Sequence, residues 1–331
     1  MDYLLLTSVF VSFILCLVMT PVWIQKCRRD GLLWEDMNKY GHPKNVAASG
    51  GIVVVMSFIL GLLTYVALKT FLYGGTTRIS AIFALLSMIL ILGVVGLVDD
   101  LFGWKNGGLS RRFRMFMTAI ASIPLIVINA GIPTINLPFF GIVNFGILYP
   151  LVLIPVGVMG ATTTYNFLAG FNGLETGQGI LILSFLSYVA YVTGSPWLSI
   201  VGLCMVAALI AFYFYNKFPA KVFPGDIMTY SIGAIIAGMA ILGNFEKVAL
   251  IAFMPYFIEI ILKLRGRLKV QSFGIPNKDN CLKMPFKKIY GLTHFSIFLL
   301  GKFKKNVYEK DVVYLIFVIQ IIFILLGFLT L

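Results

Sequence analysis

The chain has 331 residues, of which 60% are hydrophobic and only 12% are charged, and its mean hydropathy is +0.96. No soluble domain needs so much apolar surface, and apolar runs of about 17–25 residues, the length that crosses a bilayer as a helix, recur throughout. The composition therefore predicts an all-α polytopic membrane protein with one integral-membrane domain over residues 1–331. The net charge of +13 in a membrane protein reports topology rather than a nucleic-acid partner, and no nucleic acid is expected.

Ten apolar runs are predicted to span the membrane: 3–24, 47–68, 79–98, 113–129, 147–163, 179–193, 198–216, 227–242, 246–264 and 311–331. An even number of spans puts both termini on one side. The loops on the other side are 25–46, 99–112, 164–178, 217–226 and 265–310. All lysines and arginines except Lys69, Arg78 and Lys247, or 23 of 26, lie in or beside these five loops. The positive-inside rule then makes the five loops cytoplasmic and both termini external.

One external loop, 130–146, is longer than the others. Pro133, Asn136 and Pro138 interrupt its apolar and β-branched residues, which is typical of a small β-hairpin. The loop shows no residues that indicate chemistry.

Two adjacent carboxylates, Asp99 and Asp100, follow the third apolar run. A carboxylate near hydrocarbon is costly, so it lies at the water interface or is kept for a function. Two touching carboxylates also repel each other unless a cation lies between them, and Arg111, Arg112 and Arg114 come shortly afterwards. One interpretation is an interfacial helix end with solvated charges; the other is a functional acidic pair.

Further polar residues fall in loops on the same predicted face of the membrane. The side-chain oxygens of Asp99, Asp100, Asn166, Asn172 and Asp226 are hard ligands of the kind that Mg²⁺ takes. The third loop is rich in glycine, whose backbone can approach an anion closely. Carboxylates confined to one face favour an enzyme over a transporter, which places ionisable groups near the membrane midplane. The further polar residues of these loops are Asp36, Asn38, Lys39, Asn166, Asn172, Glu175 and Asp226.

Simpler interpretations remain open for two of these features. Asp226 follows Pro224 and Gly225 at a predicted helix start, where an aspartate can serve as the N-cap. The twelve lysines and arginines in and beside the basic loop 265–310 can bind substrate phosphates, or they can serve only anionic lipid head groups.

Four motifs in order carry a resemblance to a known family: DMNK (36–39), GLVDDLFGW (96–104), NFLAGFNGLETGQG (166–179) and VFPGD (222–226). With the basic loop before the last span, they resemble the polyprenyl-phosphate N-acetylhexosamine-1-phosphate transferases over essentially the whole chain. Ala169 and Asn172 stand where the peptidoglycan-precursor branch has aspartates. The resemblance therefore favours the branch that makes GlcNAc-diphosphodolichol in eukaryotes and archaea.

The resemblance implies roles for individual residues. Asn166 and Asp226 match the pair that holds Mg²⁺, for which Mn²⁺ can substitute, against a diphosphate. Asn172 and the backbone of Gly170 match the groups that read uracil, and Phe223 matches an aromatic residue that stacks on it.

The acidic pair and the basic residues also have counterparts in the family. Asp99 and Asp100 match an essential acidic pair. The family's lysine after that pair corresponds here to Arg114, with Arg112 as the alternative register. Substrate-binding roles are implied for Asn38 and Lys39 in the first loop, and within the basic loop they are assigned to Arg265 and Arg267.

The implied reaction transfers GlcNAc-1-phosphate, or a related HexNAc-1-phosphate, from a UDP-sugar to polyprenyl (dolichyl) phosphate and releases UMP. The resemblance implies that the reaction occurs at the cytoplasmic face of the membrane, which is the plasma membrane in a prokaryote. Membrane lipid is an expected partner, and the resemblance also allows a homodimer. One scheme is direct attack by the lipid phosphate; the other uses Asp99 or Asp100 as a covalent nucleophile. The alternative functions are sugar-1-phosphate transfer for another envelope polysaccharide, and transport of an anionic lipid or nucleotide sugar.

Overall fold

The structure is a computed structural model that describes residues 5–75, 78–137 and 141–331. Within these ranges the fold is mostly helical, and the described helices are connected by short loops and three small sheets. The helices are α1 Leu6–Asp30, α2 Gly51–Leu72, α3 Ile79–Asn106, α4 Arg111–Ile120, α5 Ile123–Val127, α6 Ile154–Phe167, α7 Leu174–Val192, α8 Pro196–Asn216, α9 Gly225–Gly243, α10 Glu246–Ala252, α11 Met254–Arg265, α12 Leu292–Phe303 and α13 Glu309–Phe328.

Each of the three sheets consists of two antiparallel strands. They pair β1 Leu33–Glu35 with β2 Lys44–Ala47, β3 Thr134–Leu137 with β4 Gly141–Asn144, and β5 Ile275–Pro276 with β6 Leu282–Lys283. The second sheet lies in 130–146, so the predicted small hairpin is confirmed. Its connection, 138–140, is outside the described residues.

Six described helices, α1, α2, α3, α8, α9 and α13, are long and apolar enough to cross a membrane. This confirms the predicted helical membrane architecture, while the count of ten spans stays a prediction. Three of the other predicted spans are broken helices. The run 113–129 forms α4 and α5, 147–163 forms a π-helical turn at Tyr149–Leu153 followed by α6, and 246–264 forms α10 and α11.

Proline explains these breaks. Pro124, Pro155 and Pro255 each lie at the second position of a helix, in α5, α6 and α11. Because proline lacks the N–H group that a helix interior needs, it is tolerated there and stops the preceding helix from continuing. The sequence shows one apolar run in each case, and the structure divides it.

The predicted basic loop 265–310 is partly regular. It contains β5, β6 and the twelve-residue α12. Glu259 of α11 connects this segment to the helices, because its Oε2 accepts a hydrogen bond from the Leu292 backbone N–H at 2.6 Å, and its Oε1 lies 3.8 Å from Lys263 Nζ.

Helix α9 is the centre of the helical assembly. Every residue from Ile227 to Ile241 is buried, and α9 packs against α2, α3 and α6. Glycines allow this close approach: a Cβ on Gly96 of α3 would lie 2.6 Å from the backbone of Asp226, and one on Gly233 would lie 2.6 Å from Thr162 of α6. The start of α9 is therefore held directly against the acidic pair of α3.

Candidate active site

The acidic pair lies inside α3, which continues beyond it to Asn106. Asp99 is only 6% exposed, and the Oδ2 atom of Asp100 is buried. The interpretation of these residues as solvated charges at an interfacial helix end is therefore wrong, because the helix neither ends there nor exposes them.

Arg114 bridges two carboxylates from different helices. Its Nη1 lies 2.8 Å from Asp99 Oδ2 and 3.4 Å from Asp226 Oδ2. Ser110 fixes the start of α4, since its hydroxyl accepts a hydrogen bond from the Phe113 N–H at 3.3 Å. The first turn of α4 then points Arg114 at the pair, whereas Arg112 is exposed. The structure thus brings Arg114 to the acidic pair.

Asp226 lies in the first turn of α9 but does not cap it. The N-cap position is Pro224, so the capping interpretation is wrong. The backbone N–H of Asp226 instead donates to Asp100 Oδ1 at 2.8 Å. Asp100 of α3 thus accepts a hydrogen bond from an amide in the first turn of α9. The Asp226 carboxylate does not cap the helix and contacts Arg114 instead.

The charges of this cluster suit a divalent cation. Three carboxylates, Asp99, Asp100 and Asp226, line one cavity with Arg114, whose guanidinium contacts Asp99 and Asp226. Among the described residues Asp100 Oδ2 is buried without a hydrogen-bond partner, which is costly unless another ligand binds there. Hard carboxylate oxygens fit Mg²⁺.

The protein side chains do not form a complete metal site by themselves. No group of three His, Cys, Asp or Glu residues within the described ranges is arranged as one. Mg²⁺ usually takes only one or two protein carboxylates and completes its shell with water and phosphate. The donors present therefore fit a metal that is bound together with a phosphate-bearing substrate.

Two cavities adjoin at Arg114. One of about 180 Å³ is lined by the three aspartates with Trp34 and Arg114. The other, of about 270 Å³, is lined by Arg114, Asn166 and Lys263 among others. Of the two residues predicted to bind metal, Asp226 lines the first cavity and Asn166 the second, and Arg114 lines both.

The residues predicted to read uracil lie in a buried loop with many hydrogen bonds. Gly170 adopts φ +107° and donates its N–H to Glu175 Oε1 at 2.6 Å, while its carbonyl accepts from Asn38 Nδ2 at 2.9 Å. The Asn172 side chain donates from Nδ2 to Asp36 Oδ2 at 3.1 Å. Asn38 and Asn172 therefore hold the first and third loops together.

Glu309, the first residue of α13, completes this network. Its Oε1 accepts from the Asn172 backbone N–H at 2.7 Å, and its Oε2 forms an ion pair with Lys39. Lys39 Nζ also lies 3.6 Å from Asp36 Oδ2 and 4.2 Å from the centre of the Phe218 ring. The structure thus shows Lys39 bound to protein groups in a network that positions the loop.

Sequence reasoning did not assign roles to Glu175 or Glu309. Glu175 stands in the glycine-rich motif, so its position within a motif was an available signal. Glu309 stands between lysines at the start of the last apolar run, where nothing distinguishes it from a solvated charge. Its partner Asn172 is 137 positions away in the chain.

The remaining predicted residues, Phe223, Arg265 and Arg267, do not line the two cavities at Arg114. Phe223 is half-buried, and its backbone N–H and carbonyl pair with Ala47 and Gly50 at 2.8 Å each. Arg265 and Arg267 are exposed at the end of α11. Their predicted contacts with substrate stay predictions.

Comparison with known proteins shows the family of the chain. A model described as glycosyl transferase family 4 matches residues 82–244, a range that contains the three aspartates and Arg114. A Sulfolobus acidocaldarius protein is 34% identical over 325 residues, covering 98% of this chain and 95% of its own length. The chain belongs to glycosyl transferase family 4.

Other relatives of the chain carry specific names. A Dictyostelium discoideum protein named UDP-N-acetylglucosamine–dolichyl-phosphate N-acetylglucosaminephosphotransferase is 28% identical, over 83% of this chain and 74% of its own; the Sulfolobus protein carries the same name provisionally. A phospho-N-acetylmuramoyl-pentapeptide-transferase from Clostridium perfringens is 29% identical, over 84% of this chain and 86% of its own. The chain is therefore an integral membrane protein of a sugar-phosphate transferase family.

Proposed function

We propose that the protein transfers N-acetylglucosamine-1-phosphate, or a related N-acetylhexosamine-1-phosphate, from its UDP-sugar to a polyprenyl phosphate such as dolichyl phosphate, with release of UMP. This reaction is the first step in assembling a lipid-linked glycan for N-glycosylation. The names of the archaeal and Dictyostelium relatives support it. The observation that carries it is the position of Arg114 between Asp99 and Asp226, where it lines two cavities at once.

Both substrates are anions, so the site must first reduce their repulsion. Arg114 can bind phosphate oxygens from a fixed planar fork. Asp226 and Asn166, with the unpartnered oxygen of Asp100, are the proposed ligands of Mg²⁺. When bound, the metal would neutralise charge that develops on the diphosphate. The contribution of the protein is then mainly positioning and electrostatic stabilisation.

Asp99 has the environment of a residue that orients the lipid phosphate. Its two oxygens are held separately, one by Arg114 at 2.8 Å and one by the Leu109 backbone N–H at 2.5 Å. A phosphate monoester with a second pKa near 6 is largely ionised at neutral pH, so a strong base is unnecessary. We favour direct attack by the lipid phosphate, with Asp99 orienting it or accepting its last proton, over a covalent intermediate on Asp99 or Asp100.

We further propose that ten segments cross the membrane and that this site faces the cytoplasm. The lopsided distribution of lysine and arginine supports that orientation, with 23 of 26 in or beside five alternate loops. The three broken segments would cross as helix pairs joined at proline. A break in the membrane is tolerated where neighbouring helices satisfy the freed backbone groups.

The direct test is product analysis with purified protein, polyprenyl phosphate, Mg²⁺ and a panel of UDP-sugars. We expect UMP and a lipid diphosphate-linked N-acetylhexosamine in equal amounts, and their loss when EDTA removes the metal. Arg114→Gln should abolish both products. The matched control is Arg112→Gln, which removes the same charge from an exposed position two residues earlier.

Other products would redirect the proposal. A different sugar on the lipid would indicate a transferase for another envelope polysaccharide. Uptake of a UDP-sugar or movement of the lipid by reconstituted vesicles without UMP formation would overturn transfer in favour of transport.

A further inference from the structure

A second charged cavity lies outside the site described above. It measures about 380 Å³ and is formed by β6, the end of α12 and the segment that leads into α13. No aspartate or glutamate among the described residues lines it. Four lysines do: Lys283, Lys302, Lys304 and Lys305. It shares no lining residue with the two cavities at Arg114.

The lysines of this cavity are poorly neutralised by the protein. Lys304 pairs with Asp311 at 2.8 Å. Within the described ranges, no carboxylate lies within 4 Å of Lys283, Lys302 or Lys305. The pocket therefore keeps an excess of three positive charges, which favours an anionic ligand over a neutral one.

The position of the cavity is juxtamembrane. Its lining residue Val307 stands two residues before the start of α13, a helix long and apolar enough to cross a membrane. Val307 is fixed there because its carbonyl accepts a hydrogen bond from the Leu282 N–H at 2.7 Å. The lysines thus lie beside the end of a candidate span, where lipid phosphates are found.

The same region presents apolar surface next to the charges. Phe298 lines the cavity and is 44% exposed, and its ring centre lies 4.7 Å from Lys302 Nζ. Phe303, at the end of α12, is 82% exposed. Exposed aromatic rings beside lysines are typical of a helix that enters the boundary between lipid head groups and acyl chains, and a soluble phosphate compound would have no use for them.

We propose that this cavity binds the phosphate-bearing head group of an anionic membrane lipid, with the exposed phenylalanines of α12 in contact with its chains. The site would hold α12 and the segment before α13 at the membrane surface. Clusters of lysines beside a membrane helix are recognised by anionic lipids through this combination of charge and apolar contact.

The test measures lipid binding to the whole purified protein by native mass spectrometry, with phosphatidylglycerol as the probe and phosphatidylcholine as the neutral comparison. The variant Lys302→Gln/Lys305→Gln should weaken phosphatidylglycerol binding by roughly 30-fold, since each lysine near lipid phosphate contributes substantially. The control Lys287→Gln/Lys288→Gln removes the same charge from exposed residues of the same segment that do not line the cavity, and its affinity should stay near wild type.

Two further measurements use the wild-type protein and do not depend on the variants folding. Raising NaCl from low to high concentration should weaken phosphatidylglycerol binding and leave phosphatidylcholine binding unchanged. Millimolar inorganic phosphate should not displace the lipid. Equal loss in both double variants, no preference for phosphatidylglycerol, or displacement by inorganic phosphate would each overturn the proposal, the last in favour of a site for a soluble phosphate compound.

Discussion

The carboxylate of Asp226 faces Arg114 rather than the first turn of its own helix. Asp226→Asn therefore separates metal binding from folding, because asparagine keeps the side-chain size and the backbone N–H that donates to Asp100. We expect a stable, membrane-inserted variant whose turnover falls on the order of 100-fold and whose Mg²⁺ requirement rises. UMP release as a function of Mg²⁺, alongside thermal unfolding, measures both. Near-normal turnover at ordinary Mg²⁺ would contradict the assignment.

Phe223 is a candidate for uracil binding because its backbone is fixed by Ala47 and Gly50 while its side chain is only half-buried. Phe223→Ala should weaken UDP-sugar binding by about 1–3 kcal/mol, the contribution of one base stacked on an aromatic ring, with a smaller effect on turnover at saturation. Steady-state kinetics separate KM from kcat. The control is Phe214→Ala, an exposed ring on α8. A collapse of kcat at unchanged nucleotide affinity would exclude the stacking role.

At the scale of elements, the junction of α3 and α9 depends on glycine. Gly225 begins α9 with φ +71°, and a Cβ there would collide with the Asp100 carboxylate. Gly225→Ala should therefore lower stability and displace Asp100, so that activity is lost. Gly31 has nearly the same φ, +73°, but a Cβ at that position would meet no atom within 4 Å.

The pair of variants distinguishes strain from collision. Gly31→Ala should cost only the left-handed strain, about 1–2 kcal/mol, and keep UMP release near wild type. Thermal unfolding and UMP release are measured on both. If Gly225→Ala retains activity, close contact at this junction is not required for catalysis.

The network around Glu309 joins the start of α13 to the first and third loops. Glu309→Gln removes the charge that pairs with Lys39 and weakens the hold on the Asn172 backbone. We expect KM for the UDP-sugar to rise about tenfold, in line with the loss of a hydrogen bond to a charged group, with kcat changed less. The control is Asp311→Asn, in the same turn of α13. Because Asp311 pairs with the exposed Lys304 and not with Lys39, the kinetics of this variant should match wild type. Equal effects in both variants would point to general damage to α13.

Part of this arrangement follows from the sequence, and part depends on contacts that a sequence does not display. Apolar runs and the lysine and arginine distribution predict the membrane helices, and the motifs bring Asp99, Arg114 and Asp226 under consideration together. The sequence does not predict helix α12, because a helix of twelve residues is too short for a membrane span and this one is flanked by lysines. The role of Glu309 is not predicted either, because its partners lie 137 to 271 positions away in the chain, and local sequence patterns carry no information on such contacts.

The central buried helix α9 combines a candidate membrane span with the carboxylate of Asp226. Its length and apolar character suit a membrane span, yet its first turn carries Asp226 against α3 and α4. A charge in such a position is retained for function at a cost in stability. The site is therefore expected at one end of the helix bundle, at the depth where the lipid phosphate of a membrane substrate lies.

The orientation of that end can be measured by thiol labelling. The four native cysteines are buried, so single cysteines can be introduced at exposed positions. Thr70→Cys, at the predicted external end of α2, should react with a membrane-impermeant maleimide in intact cells. Lys288→Cys, in the predicted cytoplasmic segment 265–310, should react only after permeabilisation, because 23 of 26 cations lie on its side. Labelling of Lys288→Cys in intact cells would reverse the proposed topology and place the Arg114 site outside the cell.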